Sequence, residues 1–171
     1  MRFFFHTFCL LLSIVITSAT AQNVDARKLR FYHTHTGKSL EITYFSNGKY
    51  SPQAIKDLKV YLADWRDQQQ QDIDPKLMDI LWHIQQITGN QDTYEIISAY
   101  RSRETNEMLR KKSSGVAKFS QHVMGRAIDV RLRGLDTALL RDTARKLQLG
   151  GVGYYASSDF VHIDTGRVRN W

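Results

Sequence analysis

Two short segments of the sequence alternate between apolar and polar residues as half-buried β-strands do. They are residues 126–132 and 160–164. In the first segment Asp129 lies opposite the apolar face, and in the second His162 and Asp164 share the polar face. If the two strands pair in one sheet, they present Asp129 and His162 on the same side. The faces expected to form the core carry Ile128, Val130 and Leu132 in the first segment and Val161 and Ile163 in the second.

A third polar residue, His122, lies seven positions before Asp129. Together with His162 these residues form a set of the types that bind zinc in catalytic sites. Gly125 permits a turn or a close approach in the loop that carries His122. Three protein ligands leave a fourth position for water, whose pKa zinc lowers to about 7. Asp159, three residues before His162, is a candidate base for the proton of that water.

Other interpretations of the same residues remain open. His122, Asp129 and His162 are also types that form ordinary hydrogen bonds. A serine-type triad is only weakly disfavoured by the absence of a Gly-x-Ser-x-Gly motif. A structural zinc site is less expected, because such sites usually have four protein ligands and include cysteine. In the favoured interpretation, a catalytic metal site, Asp164 orients a ligand histidine by hydrogen bonding.

The motif as a whole resembles a known family. Ser120-x-His122-x-x-Gly125-x-Ala127-x-Asp129, followed by Asp159-x-x-His162, is similar to the zinc D-alanyl-D-alanine peptidases and their murein endopeptidase relatives. That fold is shared with lysostaphin-type enzymes and hedgehog domains. Further segments resemble the branch of small exported peptidoglycan endopeptidases: residues 29–37, 98–106, 150–155 and 160–171. Because these segments are spread along the chain, the resemblance extends over nearly the whole mature chain.

The resemblance implies an α+β fold in which a small antiparallel sheet carries the zinc site and helices flank it. It implies that His122, Asp129 and His162 bind one zinc ion and that Asp159 is the catalytic acidic residue. Many D-alanyl-D-alanine peptidases have Glu at that position, so the shorter Asp departs from their pattern. Arg101 falls where relatives carry an arginine that stabilises the oxyanion, and one such donor contributes about 3 kcal/mol.

Three residues near these positions are candidate substrate contacts. Tyr100 precedes Arg101, Ser120 precedes His122 by two residues, and Lys118 ends a basic loop that leads into the metal motif. Loops beside a site usually shape substrate access, so Lys118 is a candidate contact for a peptide carboxylate. An exposed solubilising charge is an equally good interpretation of Lys118.

The N-terminus has the pattern of a secretory signal. One positive residue, Arg2, precedes an apolar run, and Ala19-Thr-Ala21 supplies small residues for cleavage. We therefore predict a signal peptide at 1–21 and a single zinc peptidase domain at 22–171. A retained membrane anchor is the alternative, but the run is shorter than the ~20 apolar residues that a spanning helix needs. The only cysteine, Cys9, lies inside this run.

The net charge is +7 for the full chain, and it falls to +6 when Arg2 is removed with the signal segment. A basic protein suits an anionic partner such as the cell envelope. Nucleic acid would also suit it, but export argues against that partner, and many soluble proteins are simply basic. We predict a monomer that is not stably inserted in a membrane, in the periplasm of a Gram-negative-type envelope.

The remaining segments form the expected scaffold. Apolar spacing and capping residues predict helices that begin at Ser51-Pro52, Asp74-Pro75, Ser102 and Leu135. The apolar stripe of the first helix extends to Trp65, Ile87 is on the buried face of the second, which Gly89 ends, and Leu139 is on the buried face of the last. A hairpin is predicted around Thr36-Gly37, with strands at 29–33 and 39–45, and further strands at 95–100 and 152–155. Tyr154 and Tyr155 could line the cleft or pack in the core, and the core is the preferred location for each.

These observations favour a zinc endopeptidase that hydrolyses peptide cross-links in peptidoglycan. Two alternatives remain at this point: a D-alanyl-D-alanine carboxypeptidase, and a non-catalytic zinc-containing module that binds the cell wall. The sequence leaves open whether the bond cut is of the D,D or the L,D type.

Overall fold

The computed structural model describes residues 25–113 and 115–171. Within them the chain forms one eight-stranded sheet and four α-helices. The strands are β1 (Arg27–His33), β2 (Ser39–Ser46), β3 (Lys49–Tyr50), β4 (Tyr94–Ser98), β5 (Ala127–Leu132), β6 (Gly151–Tyr155), β7 (Phe160–Asp164) and β8 (Arg169–Asn170). The helices are α1 (Pro52–Tyr61), α2 (Lys76–Thr88), α3 (Arg103–Lys112) and α4 (Thr137–Leu147).

The predicted signal segment at 1–21, with Cys9, lies outside the described residues. None of the helices in the described part of the chain has the length and apolar character needed to cross a bilayer.

The strands follow the order β3-β2-β1-β4-β5-β7-β6-β8 across the sheet. The central run β4-β5-β7-β6 is antiparallel throughout, whereas β1 pairs with β4 and β6 pairs with β8 in parallel. The predicted α+β class is confirmed. The part of the sheet that carries the metal motif is antiparallel, as expected, and the two parallel pairs were not predicted.

Helices α1, α2 and α4 pack on strands β2, β1 and β5–β7 respectively, and α2 also contacts α4. Fully buried side chains of β5 and β7, including Ile128 and Val161, join the single core cluster. Because side chains alternate along a strand, this arrangement directs Asp129 and His162 to the other face of the sheet. One face is therefore scaffold and the other carries the site.

The predicted capping residues stand at the helix ends. Ser51 and Ser102 accept backbone hydrogen bonds from Ala54 and Thr105 at the starts of α1 and α3. Gly89 ends α2 in the left-handed conformation, with φ of +67°.

Some expectations for the helices were wrong. Helix α1 ends at Tyr61 and does not continue to Trp65, because the next residues fold back: the Tyr100 N–H donates to the Leu62 carbonyl at 3.2 Å. Ile87 and Leu139 were expected on buried faces but are about half exposed, since they lie at the edges of the apolar stripes of α2 and α4.

Candidate metal centre

Strands β5 and β7 set two of the predicted ligands directly opposite each other. In their antiparallel register Asp129 is the partner of His162. Directly opposed residues on one face have Cβ atoms about 5 Å apart, so both side chains reach the same point above the sheet. The spacing of these two ligands is therefore a property of the strand pairing.

The third predicted ligand, His122, lies in the turn before β5. The Gly125 N–H donates to the His122 carbonyl at 3.2 Å, and Gly125 has φ of +67°. A Cβ at Gly125 would lie 2.1 Å from the Asp72 carbonyl oxygen, so this position requires glycine both for its conformation and for its contact. The turn is thus held against the segment before α2, with His122 directed inward.

Three ligand atoms converge at the centre. His162 Nδ1 lies 2.9 Å from Asp129 Oδ1 and 3.2 Å from His122 Nε2, and His122 Nε2 lies 3.3 Å from Asp129 Oδ1. All three residues are buried. Two imidazole nitrogens and one carboxylate oxygen are the donor set of catalytic zinc sites.

The outer nitrogen of each imidazole is already engaged. His122 Nδ1 lies 2.6 Å from the Ala99 carbonyl, which can only accept, so Nδ1 carries the hydrogen and Nε2 presents its lone pair. His162 Nε2 donates in the same way to Asp164 Oδ2 at 2.9 Å, which leaves Nδ1 for a metal. The residues present therefore fit a bound divalent metal ion.

Asp164 is itself fixed by donors on all sides. It is fully buried and accepts from Arg169 at 2.6 and 3.0 Å, from the Gly166 N–H at 2.8 Å and from the Gly151 N–H at 3.2 Å. A carboxylate held in this way can accept from His162 without turning. The predicted contact between Asp164 and a ligand histidine is present.

The charges of the centre depend on one another. Burial disfavours the imidazolium of His162, but hydrogen bonds to Asp129 and Asp164 outweigh burial and raise its pKa to about 8. Burial lowers the pKa of His122. Burial alone would raise the pKa of Asp129, but its attraction to the two imidazoles holds that pKa well below the usual range.

A cleft of about 480 Å³ opens above the three ligands. Arg101 lines it, and the Arg101 N–H donates to the His122 carbonyl at 3.3 Å. The guanidinium donates only a long hydrogen bond of 3.4 Å to Asn106, and its buried Nε has no partner among the described residues. Burial lowers the pKa of Arg101, and Asp129 opposes that effect. Arg101 is therefore a cation with unused donor capacity facing the cleft.

The three predicted substrate contacts fall in different places. Ser120 lines the cleft, and its Oγ accepts from the His122 N–H at 3.3 Å. Tyr100 packs against the core cluster and does not line the cleft. Lys118 is exposed and lines a neighbouring cavity.

Asp159 is not brought together with the metal ligands. Its carboxylate accepts from Thr137 Oγ1 at 2.7 Å and lies 3.6 Å from the Arg131 guanidinium. It lines a separate polar cavity that shares no lining residue with the cleft. Its backbone is left-handed, with φ of +51°, and follows a short 3-10 turn at Ala156–Ser158. The turn directs the side chain away from the cleft. Its role as the catalytic base remains a prediction.

Comparison with known proteins assigns the chain to a family. Residues 21–171 match the family described as Peptidase_M15_2: Peptidoglycan L,D-endopeptidase MepK. The chain belongs to this family. Peptidoglycan L,D-endopeptidase MepK of Escherichia coli K12 is 39% identical over 153 residues, which is 90% of this chain and 84% of that protein. Probable peptidoglycan L,D-endopeptidase MepK of Haemophilus influenzae Rd is 40% identical over 146 residues, 85% of this chain and 78% of that protein.

A solved structure, Serratia marcescens L-Ala D-Glu endopeptidase ChiX, gives a TM-score of 0.36 at 14% identity, covering 56% of this chain and 68% of that one. This likeness is too distant to carry an argument. The predicted resemblance to murein endopeptidases is confirmed by the family match, and so is the expectation of a peptidase acting on peptidoglycan.

The sequence reasoning missed an aromatic wall of the cleft. Tyr155, for which the core was preferred and the cleft was the alternative, lines the cleft and stacks on Phe160 with ring centroids 4.6 Å apart. Trp171 lies 5.2 Å from the His162 ring and donates from Nε1 to the Tyr155 hydroxyl at 3.1 Å. The sequence signal was Gly153, because a glycine inside a predicted strand often marks a close approach of another group. In the structure a Cβ at this position would lie 2.5 Å from the Trp171 ring.

Proposed function

We propose that this protein is a zinc-dependent L,D-endopeptidase of peptidoglycan. The observation that supports it most directly is the convergence of His122, Asp129 and His162, with the outer nitrogen of each imidazole engaged by an oxygen acceptor of the protein. The relatives from Escherichia coli and Haemophilus influenzae, which are 39% and 40% identical to this chain over the aligned residues, are named peptidoglycan L,D-endopeptidase and probable peptidoglycan L,D-endopeptidase. We propose that this chain also cleaves bonds of the L,D type.

The three ligands would hold the ion on the face of β5 and β7 that opens to the cleft. Zinc, when bound, supplies a Lewis acid and an acidified water. Asp164 keeps the His162 ring from rotating, and the Ala99 carbonyl does the same for His122. These contacts fix the donor atoms before the ion arrives, so little reorganisation accompanies binding.

Arg101 is the proposed binding group for the scissile carbonyl oxygen. It is a half-buried cation on the wall of the cleft, its backbone N–H donates to the His122 carbonyl, and its guanidinium has no ion-pair partner among the described residues. A donor directed at developing negative charge in a water-poor site has a large effect on the reaction rate. Replacement by Lys keeps the charge but loses the planar donor geometry.

Asp159 is the proposed base, and this assignment requires movement. Its carboxylate must leave Thr137 and Arg131 and turn toward the cleft when substrate is bound. Both contacts are partly exposed, so they are weak enough to exchange. Thr137→Ala, which removes one of them without touching the cleft, tests whether release of Asp159 limits turnover.

The setting proposed for this activity is the periplasm, after loss of residues 1–21. The mature chain of net charge +6 suits an anionic wall, and we propose that it acts as a monomer.

The deciding experiment is digestion of purified L,D cross-linked muropeptide dimers by the zinc-loaded mature protein, followed by chromatography and mass spectrometry. His122→Ala should lose zinc and activity together, whereas Asp159→Asn should lose activity and keep zinc. Asp142→Asn, an exposed carboxylate on α4, is the matched control. Release of D-alanine alone would indicate a carboxypeptidase, and bound zinc with no product would indicate a wall-binding module.

A further inference from the structure

A second cavity of about 440 Å³ lies beside the metal cleft. We call it the side cavity. It is continuous with the cleft through Phe119 and Ser120, which line both. Helix α3 forms one wall, and the turn that carries His122 forms the other. The remaining lining residues are Arg103, Asn106, Glu107, Lys118, Val123 and Met124.

The side cavity combines apolar surface with positive charge. Phe119 is 84% exposed and Met124 is 42% exposed, so the wall of the side cavity presents two large apolar side chains to a ligand. The Lys118 ammonium lies 5.6 Å from the centroid of the Phe119 ring. An aromatic face beside a cation suits a ligand that is partly apolar and partly anionic.

The charge of the side cavity is not balanced from within. Glu107 is its only carboxylate, and it is paired with Arg110 at 3.1 Å. Among the described residues neither Arg103 nor Lys118 has an ion-pair partner. Two cations are therefore available to an anion that enters from the cleft.

The side cavity is also mechanically linked to Arg101. Asn106, on α3, donates from its side chain to the Ala117 carbonyl at 3.1 Å and accepts from the Arg101 guanidinium at 3.4 Å. Asn106 is buried, so it ties the loop before the metal motif to the helix and to the cleft wall. A ligand in the side cavity is thereby positioned relative to Arg101.

We propose that the side cavity is a second substrate subsite, which binds a free carboxylate of the peptide stem on one side of the scissile cross-link. This rests on the proposed function. A cross-linking peptide continues on both sides of the bond that is cut, and peptidoglycan stems carry free carboxylates. The metal cleft holds the scissile bond, and the side cavity offers the adjoining surface of the right charge. Arg103 and Lys118 bind the carboxylate, and Phe119 packs against the peptide.

The test compares two L,D cross-linked dimers that differ only in whether their free carboxylates are amidated. The variant is Arg103→Ala/Lys118→Ala, and the matched control is Lys111→Ala/Lys112→Ala, which removes two exposed cations from α3 that line neither cavity. We expect KM for the carboxylated dimer to rise about fivefold in the first variant, as two partly exposed charge contacts are lost. The preference of the wild type for the carboxylated dimer should then disappear, and the control should keep it.

The salt dependence gives a second readout. Raising ionic strength screens exposed charges, so the preference of the wild type should shrink, while the Arg103→Ala/Lys118→Ala variant should respond little. An equal loss on both dimers, or no loss on either, would overturn the proposed subsite. If the wild type cleaves neither dimer, the proposed function fails separately. Calorimetric binding of the intact carboxylated dimer to the wild type and the variant then decides: weaker binding by the variant supports the subsite, and equal binding rejects it.

Discussion

Asp164→Asn is the sharpest test of how the metal centre is organised. Asp164 is fully buried and accepts five hydrogen bonds, two on Oδ2 from His162 and Arg169 and three on Oδ1 from Arg169, Gly151 and Gly166. The substitution preserves the shape of the side chain but turns one oxygen into an NH2 group, which only donates. Whichever way the amide turns, its hydrogens face donors.

The substitution should lower both the metal affinity and the free energy of unfolding. Loss of an anionic acceptor behind a ligand histidine weakens metal affinity by about 10- to 100-fold, or about 1.4 to 2.7 kcal/mol. Leaving buried donors without acceptors, beside an Arg169 that has lost its counter-charge, lowers the free energy of unfolding by about 3 kcal/mol. The metal-free protein should therefore be less stable, and zinc should stabilise the variant less than the wild type.

The assay is competition for zinc against a chelator of known affinity, combined with thermal unfolding of the metal-free and metal-loaded forms. Asp142→Asn changes a carboxylate on the surface of α4, paired with Arg141, and should change neither quantity. A folded Asp164→Asn variant whose zinc affinity stays within twofold of the wild type would refute the view that Asp164 holds His162 in place.

Three further predictions follow from contacts in and around the cleft. Gly153→Ala should lower the free energy of unfolding by about 1 to 3 kcal/mol and reduce kcat/KM, because the added Cβ would lie 2.5 Å from the Trp171 ring. Thermal unfolding measures the first effect, and steady-state kinetics measures the second. The Gly153→Ala/Trp171→Ala protein should lose less than the sum of the single variants, and strict additivity would count against the clash. Zinc affinity should fall about tenfold per pH unit as the pH drops below about 8, because the ion must displace the His162 proton. Calorimetry measures this affinity, and an affinity that stays constant between pH 6 and 8 would contradict the prediction. Arg101→Lys should retain zinc and lose about 100-fold in kcat, measured on dimers, and undiminished turnover would remove Arg101 from the mechanism.

Much of the site could be predicted because strand alternation is local information. The polar faces of 126–132 and 160–164 placed Asp129, His162 and Asp164 correctly, and the register of β5 and β7 then brought the first two together. Helices α2 and α3 were equally predictable, since Asp74-Pro75, Gly89 and Ser102 act through neighbouring backbone groups.

The parts that could not be predicted depend on contacts between distant segments. Position 159 follows a tight turn, and only the positions of Thr137 and Arg131 decide where its carboxylate lies. Tyr155 lines the cleft because Trp171, sixteen residues later, returns to occupy the space over Gly153. The parallel pairing of β1 with β4 likewise joins segments separated by two helices.

The direct opposition of Asp129 and His162 across β5 and β7 has a consequence for biosynthesis. A slip of one residue in that pairing would turn one of the two side chains toward the core and dismantle the donor set. Metal uptake therefore discriminates between the native pairing and every slipped one, and it adds its binding free energy only to the native one. An enzyme that cuts the wall is dangerous when misassembled, and in the proposed metal-dependent reaction this geometry would confine activity to copies that have folded correctly.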